Sequence, residues 1–245
     1  MTTIRWMNCF ADVLTSKHDL TIHSFLDDVI VPALATLDAK IAELGASDWP
    51  GHQFAQADME AMKSEAILAF GLSIQSIWER QFRSYLRGCA NELRPGKPIA
   101  GKIDKANWQD LQKWFRRLRG INLDEFPSFP LLDTLQHLGN ACRHGDGDSA
   151  VELHRRRPDL WPVIPPMPPG FGEPQVGSAP PPPAGSMEIP VAALREFVTA
   201  IAAFWRDTEY IYNESIEGKH ENLEAHLVEQ RAERTWFPQA RSEAG

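Results

Sequence analysis

The chain has 245 residues, 43% apolar and 24% charged, an ordinary globular balance with enough length for one large domain or two small ones. Its formal net charge of −8 argues against a general nucleic-acid coat. The mean hydropathy of −0.34 and the lack of a long uninterrupted apolar run are read as excluding a membrane span. Met1 to Trp6 has no apolar signal core, and Cys9, Cys89 and Cys142 lie far apart with no C-x-x-C pair. Those features predict a cytoplasmic protein with reduced thiols.

From His18 to Leu44 apolar residues recur at helical spacing, with Pro32 predicting a kink or a junction of two helices. The stretch Gly45 to Gly51 is punctuation. Asp58 to Ala90 predicts the strongest helix, with Met62, Phe70, Ile74, Trp78, Phe82 and Leu86 on its apolar stripe. A shorter helix is expected from Asp104 to Leu118, stopped by Gly120. This region is basic: Arg94, Lys97, Lys102, Lys105, Lys113, Arg116, Arg117 and Arg119 face only Asp104 and Asp110. It is either a local positive face or a solvated helix surface.

Another helix is predicted from Pro130 to Gly145, and Asp148 to Glu152 reads as a capping box opening a short helix that ends at Pro158. Pro158 to Pro190 reads as an extended, partly polyproline strap laid along the surface through Leu160, Trp161, Val163 and Ile164, or as a partner-binding segment. Pro190 starts a last strong helix, and the acidic, charged residues after Gly218 are expected to fray or to extend as an exposed helix. Alternating β-branched runs are nearly absent. The expected fold class is therefore all-α, an up-and-down helical bundle with a long proline-rich irregular segment.

Chemistry concentrates in Leu138-Gly-Asn-Ala-Cys-Arg-His144-Gly-Asp-Gly. Asn140 and His144 stand at i and i+4, hence on one helix face, with Arg143 about 100° away around the axis. An imidazole beside an amide and guanidinium groups suits acid–base work on a phosphodiester. The plainer alternative is a helix C-terminus where His144 and Arg143 complement the dipole. No tight metal-ligand set is evident, so no metal and no cofactor is expected. Most tryptophans sit on apolar stripes. Trp114 lies off its stripe beside Arg116 and Arg117, where it can stack a nucleobase.

The segment resembles the signature of HEPN domains (higher eukaryotes and prokaryotes nucleotide-binding), helical bundles that carry Arg-Asn-x-x-x-His on one helix. In this register the sequence reads Gly139-Asn140-Ala-Cys-Arg143-His144, with glycine at the arginine position. Glu79 and Arg83 are similar to a Glu-x-x-x-Lys/Arg pair on an earlier helix of some members. The resemblance covers roughly Asp58 to Gly147. It implies a HEPN-like core over 1–157, a proline-rich loop over 158–189, and a C-terminal helix completing the bundle with a charged tail over 190–245. It also implies an RNA-binding protein or metal-independent endoribonuclease of a bacterial defence or toxin–antitoxin type, acting as a homodimer with a shared cleft. The catalytic set would be His144, Asn140 and Arg143, with Arg83, Trp114, Arg116 and Arg117 contacting RNA. The alternative is a non-catalytic dimerisation or partner-binding module, with the proline-rich segment as contact. The assigned register expects Gly139 to face the cleft; a buried Gly139 would contradict it, and with it the pairing of Asn140 and His144.

Overall fold

The computed structural model describes residues 7–163 and 182–238. Among them the regular structure is helical and no strand occurs, so the protein is an all-α helical bundle. The helices are α1 (Phe10–Val13), α2 (His18–Ser24), α3 (Val31–Gly45), α4 (His52–Leu93), α5 (Ala100–Asp104), α6 (Trp108–Arg119), α7 (Phe129–His144), α8 (Asp148–Arg156), α9 (Val191–Ser215) and α10 (Glu221–Glu233).

The expected break at Pro32 is displaced. A π-helical turn, Phe25–Ile30, joins α2 to α3, and the Val31 N–H bonds five residues back to Leu26 O. Proline lacks an N–H and its ring clashes with the carbonyl four residues earlier, here Asp28. Widening the turn before Pro32 removes that clash without ending the helix. Among the described residues, Phe10–Gly45 holds the one window apolar enough to cross a membrane by length and composition, with mean hydropathy 1.4 and 22% of it buried. Asp27, Asp28 and Pro32 hide it from a search for uninterrupted apolar runs. Asp27 is held by Arg195 at 3.0 Å.

Other boundaries move for local reasons. α4 begins at His52, six residues before the expected start, because Gln53, Ala55, Gln56 and Ala57 propagate a formed helix readily. Asp104 falls in α5, and α6 begins after it with Asn107 as N-cap, its side chain accepting from the Asp110 N–H at 2.9 Å. Gly120 stops α6 as expected, in the left-handed region at φ 76°. Gly147, not Asp148, is the N-cap of α8, so the expected capping box is absent there. Beyond Gly218, Glu221–Glu233 form α10, held by buried Leu227 and by Arg231 bridging Glu214 and Glu224.

The described residues fall into two units. The first draws on Met1–His23, Ile77–Leu132 and Val198–Gly245. Its core is an aromatic cluster in which Trp78 stacks on Phe82 at 5.1 Å and meets Phe204 edge-on at 5.0 Å. Phe115, Phe126 and Trp205 extend the cluster. Each such ring, cut back to alanine, costs about 3–5 kcal/mol. The second draws on Ser24–Ser76 and Asp133–Phe197, around buried Leu34, Ile74, Leu135, Leu138, Leu153, Leu194 and Phe197. Here the Glu188 N–H bonds to Leu160 O and the indole of buried Trp161 donates to Pro183 O at 3.0 Å. Leu160 and Trp161 thus pack as the strap reading expects, whereas Val163 is exposed. The rest of the proline-rich segment, residues 164–181, lies outside the described residues.

One ion pair of the first unit is completely buried. Arg119, placed by sequence in the basic run, donates from Nη2 to both Asp12 oxygens at 2.8 and 3.0 Å, with neither side chain exposed. Its Nη1 reaches Met7 O at 3.0 Å, and Tyr85 donates to Asp12 Oδ1 at 2.9 Å. Removing one partner strands a buried charge. Arg119→Met should therefore destabilise the protein by about 3–5 kcal/mol in urea unfolding, and pairing it with Asp12→Leu should recover part of that loss.

Candidate functional site

On α7 the residues Asp133, His137, Asn140 and His144 follow one another at spacings of four, three and four, a single polar stripe on the helix. Gly145 at φ 73° closes the helix, its N–H returning to Ala141 O at 2.9 Å, and turns the chain into α8. α8 then pairs with the stripe. Asn140 Nδ2 donates to Ser149 Oγ at 3.3 Å, and Arg156 donates to Asp133 at 2.7 Å and to Glu152 at 2.6 Å. Hydrogen bonds from Arg155, then from Arg156, hold the Glu152 carboxyl down at about 2. Burial, reinforced by Arg156, lowers the pKa of His137 and favours its neutral ring. Most of the stripe is therefore a polar seam between two helices.

His144 and Arg143 end α7 on exposed positions. Arg143 makes a long bond, 3.4 Å, to Gln75 Oε1 on α4. Gln75 is buried and donates in turn to Gln136 Oε1 at 3.0 Å. Gly139 does not face an open cleft. It is buried, and a Cβ added there would lie 2.4 Å from Gln75 Cγ and 2.9 Å from Gln75 Cβ. The absence of a side chain at 139 lets α7 approach the second-unit part of α4. An arginine cannot occupy that position without separating the helices. Gly139 therefore faces Gln75 on α4, where the family-like arginine position was expected to face a cleft, and Asn140 is hydrogen-bonded to Ser149.

Arg83 is also committed to the fold. Its Nε and Nη2 bond to Glu79 Oε1 at 2.8 and 2.7 Å. Nη1 and Nη2 then cap the carbonyls of Ile103 and Ala106 at 2.6 and 2.8 Å. The Glu79–Arg83 pair thus fastens the α5–α6 connection to α4 in the first unit.

That connection forms the wall of a surface groove lined by Lys102, Lys105, Ala106, Asp110, Lys113, Trp114 and Arg117. Trp114 is half-buried, and the Arg117 guanidinium lies 5.1 Å over its ring. Four cations and one indole therefore share the groove with one acid, Asp110, which pairs with Lys113 at 2.8 Å. Arg116 lies apart, with Gln109, Gln112, Lys113, Asn122 and Asp124, on a second groove of α6. In the sequence Trp114 stands out by its position off the apolar stripe, and Arg116 and Arg117 by lying beside it. The sequence does not single out Lys102, Lys105 and Lys113 as groove residues, because their convergence depends on the α5–α6 turn. Among the described residues no cluster of three or more His, Cys, Asp or Glu is placed to hold a metal ion. Cys142 is half-buried, and burial pushes its thiol pKa up to about 12.

No protein-family model, curated protein or solved structure matches the chain.

The packing of Gly139 makes a direct prediction. Gly139→Ala should lower stability by about 1–3 kcal/mol despite alanine's better helix propensity, and Gly139→Arg should lower it further. Chemical denaturation tests both; an arginine variant as stable as the parent would mean that position 139 opens outward.

Proposed function

We propose that the protein is a HEPN-like, non-catalytic RNA-binding module that holds single-stranded RNA in the α5–α6 groove. The observation that carries this reading is the groove itself: Lys102, Lys105, Lys113 and Arg117 around the half-buried face of Trp114. Cations track a phosphate backbone, and an aromatic ring stacks any base without reading its identity. Arg117 over the indole adds a second planar surface for a base edge. The overall charge of −8 restricts such binding to this local face.

A cleaving site at the end of α7 has less support. Catalysis on a phosphodiester needs a guanidinium aimed at the developing charge, and the position that would supply it holds Gly139 against Gln75. The exposed His144 and Arg143 suit the last turn of a helix, where cations complement the dipole. A symmetric dimer with a shared cleft remains part of the catalytic alternative and is not required by the groove.

Fluorescence anisotropy with a labelled single-stranded RNA tests the proposal. Affinity should fall as salt rises between about 50 and 200 mM, with a log–log slope near −0.7 per phosphate neutralised. Trp114→Ala should cost about 1–3 kcal/mol, a loss of roughly five- to 150-fold in affinity. Arg117→Glu should shrink the salt slope by about one unit or more. Binding that is independent of salt, or unchanged in both variants, would refute the groove assignment. His144→Ala should bind RNA like the parent, and neither protein should cut it. Cleavage by the parent that disappears in His144→Ala would instead establish the catalytic reading.

A further inference from the structure

Cys9 and Cys89 are 80 positions apart in the chain, yet their sulfurs lie 3.6 Å from each other in the first unit. Both are free thiols. Cys89 is fully buried on α4, while Cys9 is 8% exposed and precedes α1, whose Phe10 and Val13 are exposed. Cys9 is thus the less deeply buried member of the pair and Cys89 the inner one. The Arg119 guanidinium stands beside both, with Nη1 3.6 Å from Cys9 Sγ and 3.8 Å from Cys89 Sγ. Asp12 holds that guanidinium in place and lies 3.6 Å from Cys9 Sγ through Oδ2.

We propose that Cys9 and Cys89 form a hydroperoxide-reactive dithiol, with Cys9 as the attacking sulfur and Cys89 as the resolving one. The Cys9 thiolate attacks the outer oxygen of a hydroperoxide; the O–O bond breaks, an S–O bond forms, and an alcohol, or water from hydrogen peroxide, leaves with one thiol proton. Cys9 is then a sulfenic acid. The Cys89 sulfur attacks it, the S–S bond forms, the S–O bond breaks, and water leaves with the second proton. In sum, two thiols and one hydroperoxide give one disulfide, one alcohol and one water.

The surroundings assign the two roles. The hydrogen bond between Cys9 and Cys89 lowers the Cys9 pKa, with Arg119 acting in the same direction and burial and the Asp12 charge opposing it. The same hydrogen bond, followed by burial, raises Cys89. Tyr85, which also faces Asp12, stays a neutral donor because burial raises its pKa. Attack by the lower-pKa, outer thiolate and resolution by the adjacent inner thiol is the order that this asymmetry favours. Closing the bond takes the sulfurs from 3.6 Å to about 2.05 Å. α1 is four residues long, and the resulting bridge would fasten the segment before it to α4. Cys142 makes an internal control, with its pKa pushed up to about 12 by burial.

The test treats the reduced full-length protein with hydrogen peroxide, counts thiols with a chromogenic reagent in denaturant, and maps peptides without reduction. The three thiols of the chain should fall to one, with Cys9 linked to Cys89 and Cys142 still reduced. A thiol reductant should restore all three. In Cys89→Ser, where resolution is blocked, Cys9 should be trapped by a sulfenic-acid probe; in Cys9→Ser, peroxide should leave Cys89 reduced. Peptide mapping of the parent needs no variant to fold. Three thiols persisting after peroxide, a bridge to Cys142, or Cys89 oxidised in Cys9→Ser would each overturn the proposal.

Discussion

The buried Asp12–Arg119 pair is the constraint around which the first unit is arranged. Neither side chain is exposed, so the full desolvation of two charges has to be offset locally. The structure does this with a bidentate contact, a backbone carbonyl from Met7 and the Tyr85 hydroxyl. Each partner comes from a different part of the chain. The N-terminal segment, α4 and the last residue of α6 must therefore adopt one arrangement to satisfy the pair. An apolar contact would tolerate slippage; a buried bidentate ion pair does not. The short distance between Cys9 and Cys89 follows from it, since Arg119 lies against both sulfurs.

A second constraint operates in the other unit, where helices meet closely. Gly139 lets α7 reach Gln75 with no intervening side chain, and the amide of Gln75 then links Arg143 to Gln136. On the adjoining face Asn140 and Asp133 are consumed by Ser149 and Arg156. A run of residues that looks chemically active in one dimension is thus divided three ways: a glycine inward, an amide to α8, and a histidine and an arginine outward. Polar groups that enter a helix interface must find partners there, because leaving them unpaired costs about 1–3 kcal/mol each. Their availability for a substrate is decided by that requirement. The groove residues Lys102, Lys105 and Arg117 differ in lying on the exposed side of α5 and α6.

The helical stripes were legible because burial imposes a period on the sequence. Ile74, Trp78, Phe82 and Leu86 recur at every fourth residue, close to the helical period, and each is fully buried. The stop at Gly120 was legible for a similar reason, as a left-handed residue favours glycine. α10 was less legible: it buries one residue, Leu227, and is held by Arg231 and Arg234 on acids that belong to α9. The π-helical turn also escaped, because the sequence locates Pro32 but not how the preceding turn relieves it.

By itself, then, the sequence determined the all-α class, the main helices and the off-stripe position of Trp114, all properties carried by local propensity and periodicity. Tertiary structure decided the rest through distances between residues remote in the chain. It turned Gly139 inward onto Gln75 and gave Arg83 to the carbonyls of Ile103 and Ala106. It buried Arg119 on Asp12, and it brought Cys9 beside Cys89. A helical pattern states which residues share a face, but the neighbour opposite that face sets what each polar group can do. That neighbour is fixed only when the helices pack.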